Sequence, residues 1–269
     1  MLLAVSGSVA AVKWPQLVLA LSAFADVRVA TTKASRAFHA ATEAYDAESL
    51  TAAGAVLRAT EACEAAAGRY AHPSAAGGGA PAAAGGGGGS GGGAATVIPV
   101  PPMAPHGPHV PLFTDADEWH GYKAVHTDAV VHIELRKWAD VLLVAPMSAN
   151  TLAKMAMGLA DNIVTCVARA WDLRDARKAF LAAPAMNTAM LEHPVTAPQV
   201  TTLRSWGVVV LPTAPPRVLA CGDVGSGAML AVGDVVAVVR AACAGGDAWR
   251  AARAQYDPPP PLALLTPRS

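Results

Sequence analysis

Five short, continuous apolar runs recur along the chain, each separated from the next by residues of helical character. They are Leu2–Val5, Val27–Thr31, Val141–Ala145, Ala179–Ala183 and Val208–Leu211. A strand that alternates apolar and polar residues has one wet face, whereas a run with no polar position is buried on both faces. Short runs of that kind joined by helices predict βαβ units and a parallel sheet with helices on both sides. The crossovers are expected to be right-handed.

The middle of the chain breaks this rhythm. Residues 77–93 hold 11 of the 24 glycines, and six prolines follow between 99 and 111. Glycine loses too much backbone entropy on ordering to be fixed without burial in return. Residues 54–108 are therefore read as a flexible insert in a single domain spanning 1–245. Residues 246–269, with four consecutive prolines from Pro258, are read as a disordered Pro-rich tail.

Lys plus Arg equals Asp plus Glu at 20 each, so the formal net charge is zero. Without a one-signed field, neither nucleic acid nor an anionic membrane is an expected partner. No uncharged apolar run approaches the roughly 20 residues that span a bilayer. The N-terminal stretch lacks a basic leader and reads as a strand, not a signal peptide. Cys63, Cys166, Cys221 and Cys243 are scattered, with no metal-ligand spacing. That usage fits a reducing, cytoplasmic setting without a bound metal.

In open parallel sheets, ligands bind beyond the carboxyl ends of the strands, so the residues after each strand are the place to search. "SGSVAAVK" (Ser6–Lys13) follows the first strand. Its small residues allow a ligand close to the backbone, and the N–H groups of the next helix suit a single phosphate. It lacks the GxGxxG spacing of dinucleotide sites. "TTKAS" (Thr31–Ser35) follows the second strand, with three hydroxyls and an ammonium. "PMSANT" (Pro146–Thr151) follows the third, where Ser148, Asn150 and Thr151 either cap the next helix or meet a ligand. In "PAMNTAML" (184–191), Asn187 has the same two readings. "LACGDVGSGAML" (Leu219–Leu230) has three glycines, one just after Cys221, and reads as a mobile loop. "TDAVVHIELRKWAD" predicts a helix capped by Asp128 and ending near Trp138. His132 in its first turns is either a structural histidine or a general base near neutral pH.

Taken together, "SGSVAA", "LFTDADEW", the block His132–Asp172, "PAMNTAM" and "ACGDVGSGAM" resemble the phosphopantothenoylcysteine decarboxylases of the homo-oligomeric flavin-containing cysteine decarboxylase family. The resemblance covers about 2–50 and 109–243. It implies a flavodoxin-like or Rossmann-like α/β fold of three layers, a homotrimer, and FMN near the subunit interfaces. By position, Gly7, Ser8, Val9, Thr32, Lys33, Ser35, Ser148, Ala149, Asn150, Thr151 and Ala185 would hold the flavin. His132 matches the active-site histidine. Asn187, with Met190 beside it, matches the asparagine that holds the substrate carboxylate. Cys221 matches the cysteine of the substrate clamp, with Ala220 next to it and Arg217 the nearest cation.

The implied reaction is FMN-dependent oxidative decarboxylation of 4′-phosphopantothenoylcysteine to 4′-phosphopantetheine, a step towards coenzyme A. A flavin prenyltransferase and a non-catalytic flavoprotein regulatory subunit are the competing functions. The chain departs from the family pattern at four positions: Leu191 for Trp, Ala34 for Ser, Val218 for a basic residue and Lys137 for Arg.

Overall fold

The computed structural model describes residues 1–53, 110–119, 130–218 and 224–256. The insert expected at 54–108, the Pro-rich stretch from Asp257, Asp128, Ala220 and Cys221 lie outside the described residues. Six parallel strands form one sheet: β1 (Leu2–Val5), β2 (Arg28–Thr31), β3 (Leu112–Phe113), β4 (Val141–Met147), β5 (Ala179–Pro184) and β6 (Val209–Val210). Their spatial order is β3-β2-β1-β4-β5-β6. This is the Rossmann order, with its reversal between β1 and β4. A small antiparallel pair, β7 (Arg217–Val218) and β8 (Val224–Gly225), stands apart from the sheet.

The pleat of β1 shows why its run has no polar position. Leu3 and Val5 point into one core with Leu17, Leu21, Val235 and Val239, from the helices Trp14–Ser22 and Val232–Ala244. Leu2 and Ala4 point into the other with Leu135, Leu152, Val164 and Leu203, from four helices on the opposite face. Successive strand residues face opposite sides, so each apolar run feeds two cores and the architecture has three layers. All four residues of β1 are buried.

One boundary and one strand differ from what the sequence led us to expect. The domain does not end at 245: Gly246–Tyr256 is a helix, and its Trp249, Ala252 and Tyr256 pack on the first core. Their spacing of three and four residues is an apolar stripe, which the neighbouring prolines hid at the level of composition. Strand β3 was not expected, because two residues make no recognisable run; it pairs at the edge of the sheet with Val29 and Ala30.

Among the described residues no helix is long and apolar enough to cross a membrane.

Candidate functional site

Four of the strands are followed by a polar residue in extended conformation that caps the next helix. Ser8, Thr32, Ser148 and Asn187 each accept a backbone N–H through the side-chain oxygen, from Ala10, Ser35, Thr151 and Ala189 respectively. Capping satisfies one of the orphan N–H groups of a helix and fixes where the helix starts. The sequence left capping and ligand contact as alternatives for Ser148, Asn150, Thr151 and Asn187; of these Ser148 and Asn187 are the caps, while Asn150 and Thr151 lie inside the helix that Ser148 starts. The geometry makes capping real at Ser8, Thr32, Ser148 and Asn187, and it aims four helix N-termini from the carboxyl edge of the sheet.

The turns after β1 and β4 are tied to each other at the switch point. The Ser6 hydroxyl donates to the Pro146 carbonyl at 2.8 Å and accepts the Ser148 N–H at 2.9 Å. Ser6 is wholly buried. The Ser8 hydroxyl reaches further along the sheet edge and donates to the Ala185 carbonyl at 3.0 Å. The loops after β1, β4 and β5, distant in sequence, thus share one hydrogen-bonded rim. Gly7 allows the remaining approach, since a Cβ there would run into the Ala34 methyl of the loop after β2.

Burial divides the expected flavin residues into two groups. Thr32, Ser35, Ser148, Thr151 and Ala185 are buried and build the turns. Gly7, Ser8 and Ala149 are half-buried, while Val9, Lys33 and Asn150 are exposed at the rim. The arrangement offers small residues, backbone N–H groups and a few polar side chains along the carboxyl edge of the sheet, the donor set that suits an anionic group on a flat apolar ligand.

The Asn187 loop is stitched to the glycine loop. Met186 donates its N–H to the Gly227 carbonyl at 2.9 Å, and the Thr188 hydroxyl donates to the Ser226 carbonyl at 2.8 Å. Gly227 has φ +113°, a left-handed value that favours glycine, and a Cβ there would strike the Met186 carbonyl. A Cβ on Gly225 would strike the Thr188 hydroxyl. Asn187 and Met190 are exposed, Met186 is buried beneath them, and Leu191 packs on the second core. Cys221 and Ala220 fall between β7 and β8, and Arg217 is the first residue of β7. Lys137 forms an exposed ion pair with Glu134 at 2.8 Å.

His132 lies in the helix Val131–Trp138, which ends where the sequence predicted. Its N-cap is Val130, which makes no side-chain cap bond. A distant carboxylate does that work. Glu118 Oε2 accepts the His132 backbone N–H at 3.2 Å, and Glu118 Oε1 lies in a short contact with His132 Nδ1. At the other end of the helix, Lys178 Nζ donates to the Arg136 carbonyl at 2.8 Å and to that of Ala139. Carboxylate at the N-terminus and ammonium at the C-terminus both complement the helix dipole.

The segment around Glu118 serves three helices. Asp117 accepts the N–H and hydroxyl of Thr114, both at 2.7 Å, closing its own first turn. Asp115 accepts the Ile163 N–H at 2.8 Å, at the start of the helix Ile163–Ala170. The stretch "LFTDADEW" does not reveal these roles by itself, because nothing local says which distant helix each carboxylate will meet. Burial first, and the Glu118 charge second, push the Cys166 thiol up, which keeps it protonated.

A family model described as Flavoprotein matches residues 1–244. The chain belongs to the flavoprotein family.

Within that family this flavoprotein is 52% identical to the mouse phosphopantothenoylcysteine decarboxylase over 138 residues, which is 51% of this chain and 65% of the mouse protein. It is 49% identical to the rice protein of the same name over 132 residues, 49% of this chain and 58% of the relative. The chain thus spans less than two thirds of the length of these curated relatives. A solved structure of a cysteine-to-serine variant of PPC decarboxylase, complexed with pantothenoylaminoethenethiol, superposes with a TM-score of 0.62 at 33% identity, covering 91% of this chain and 97% of that one. The FMN binding protein AtHal3 superposes with a TM-score of 0.58 at 34% identity, covering 89% and 93%.

Proposed function

We propose that this flavoprotein is an FMN-dependent decarboxylase that converts 4′-phosphopantothenoylcysteine to 4′-phosphopantetheine and carbon dioxide. One observation carries the reading: the carboxylate of Glu118 engages His132 at Nδ1, so that the opposite ring nitrogen, Nε2, is the one that would serve a substrate. The names of the similar proteins support the substrate. The strand-end rim supports FMN, with Ser8, Lys33 and Asn150 at its edge and the N-termini of the helices starting at Val9 and Ala149 suited to the phosphate.

A saturated cysteine carboxylate has no electron sink, so direct loss of carbon dioxide would leave an unstabilised carbanion. FMN, when bound, supplies reversible oxidation of the carbon that bears the thiol. The thioaldehyde so formed, β to the carboxylate, accepts the electrons of the breaking C–C bond and becomes an enethiolate. His132 would act on the first half of this sequence, orienting the thiol-bearing carbon or holding a proton at Nε2. Asn187 accepts the Ala189 N–H at its Oδ1, and by its match to the family asparagine it would hold the departing carboxylate. Met186 and Met190 would form apolar walls there. Because the oxidation is reversible, the hydride removed at the start would be given back to the enethiolate, and Cys221 would supply the accompanying proton to yield the saturated thiol, with Ala220 and Arg217 completing the clamp. We further propose a homotrimer working in the cytoplasm.

The test is an absorbance scan of the purified protein followed by anaerobic addition of substrate. Flavin bands and release of carbon dioxide are expected, with a trimeric mass by light scattering. A flavin-loaded protein that releases no carbon dioxide would remove the catalytic reading and favour a regulatory flavoprotein.

A further inference from the structure

Glu118 is buried, with 5% of its surface exposed, and lies 14 residues before the histidine it touches. Its two oxygens have separate partners: the backbone N–H of His132 on one and ring Nδ1 on the other. We propose that Glu118 is a positioning residue that fixes His132 in the Nδ1–H tautomer, so that Nε2 carries the lone pair offered to substrate. The use of that lone pair rests on the decarboxylase reading. The tautomer does not.

An ionised carboxylate accepts hydrogen bonds and donates none. With Oε2 taken by the backbone N–H, Oε1 is left for the ring, and a neutral imidazole facing it must carry its proton on Nδ1. The partner of one ring nitrogen sets the state of the other. Burial protects this choice, because little water reaches Glu118 to offer the ring a different partner. The same two bonds anchor the ring to the first turn of its own helix, so tautomer and orientation are fixed by one side chain.

A purely structural carboxylate, there only to cap the helix, would be replaceable by its amide. A tautomer-setting one would not. Glu118→Gln keeps the size but has a single acceptor oxygen. If that oxygen stays on the His132 N–H, the amide N–H₂ faces Nδ1 and demands a lone pair there. The ring proton then moves to Nε2, and the nitrogen aimed at substrate changes from acceptor to donor. Swapping a histidine-orienting carboxylate for its amide lowers kcat by about 10⁴-fold in serine proteases.

The experiment uses the full chain loaded with FMN and labelled with nitrogen isotope in histidine, with His132→Asn assigning the His132 signals. The wild type is expected to show the Nδ1–H tautomer. Glu118→Gln should fold, keep its flavin absorbance, shift His132 to the Nε2–H tautomer and lose about 10²–10⁴-fold in kcat with little change in KM. Glu118→Asp, which retains two acceptors, should recover part of kcat. An unchanged tautomer or an unchanged kcat in Glu118→Gln would overturn the proposal. If that variant does not fold, the wild-type spectrum decides, and an Nε2–H tautomer there overturns it. A wild type that binds FMN without turnover refutes the decarboxylase reading, while the spectrum still decides the role of Glu118.

Discussion

At the strand ends, Ser6, Ser8 and Ser148 sit one to three residues beyond the strands that aim them. The His132 ring, by contrast, is held by a carboxylate on another segment, and its helix is held at the far end by a lysine 46 residues after His132. The first region is built from short side chains and backbone, with partners set by the sheet. The second depends on long side chains that cross between elements. The difference teaches where tolerance lies: damage at the rim should reach the fold, whereas damage at the histidine should stay in the chemistry.

The sharpest way to test that separation is His132→Asn. Carbon dioxide release should fall by about 10²–10⁴-fold, the range for losing a general acid or base, with flavin absorbance and melting temperature unchanged. A large drop in melting temperature would show that the histidine also supports the fold and would erase the contrast.

Ser6→Ala strikes the rim. It leaves the Ser148 N–H without its hydroxyl acceptor at a wholly buried position, at a cost of about 1–3 kcal/mol. For a domain of this size that is a drop of several degrees in melting temperature, at roughly 2–4 °C per kcal/mol. Weaker FMN binding should accompany it in a titration. A normal melt with weak flavin binding would mean that the rim is a ligand device alone.

The smallest effect belongs to a control away from both regions. Arg177 beside Asp175 holds its carboxyl low, from the ordinary 3.8 to about 2. A folded pKa below the unfolded value gives stability that is present above 3.8 and lost as pH falls towards about 2. Asp175→Asn should remove that part of the acid dependence in a pH-resolved melt and leave turnover at neutral pH alone. Because Arg177 is exposed and Asp175 is only half-buried at the surface, solvent screening keeps the effect small.

The sheet was legible because burial on both faces writes itself as uninterrupted apolar runs, and β1, β2, β4, β5 and β6 lie where those runs are. The caps Ser148 and Asn187 were legible too, since they act within two or three residues of themselves; Ser8 and Thr32, read only as ligand contacts, proved to cap as well. Strand β3 was not, having only Leu112 and Phe113 and deriving its order from β2. Nor was Glu118 as the partner of His132. Asp128 is the nearer candidate in sequence, but the helix starts at Val131, and the carboxylate that reaches its first turn comes from a separate helix. Local signals name the residue type that a turn needs. They do not name which distant group the fold will bring to it.

The close approach of Gly225 to Thr188 has a consequence on an evolutionary scale. Any side chain at 225 would collide with the hydroxyl that ties the Asn187 loop to Ser226. Neither position can drift alone, so across relatives the two should behave as a covarying pair: threonine at 188 accompanied by glycine at 225, and a bulkier 225 only where 188 has shrunk.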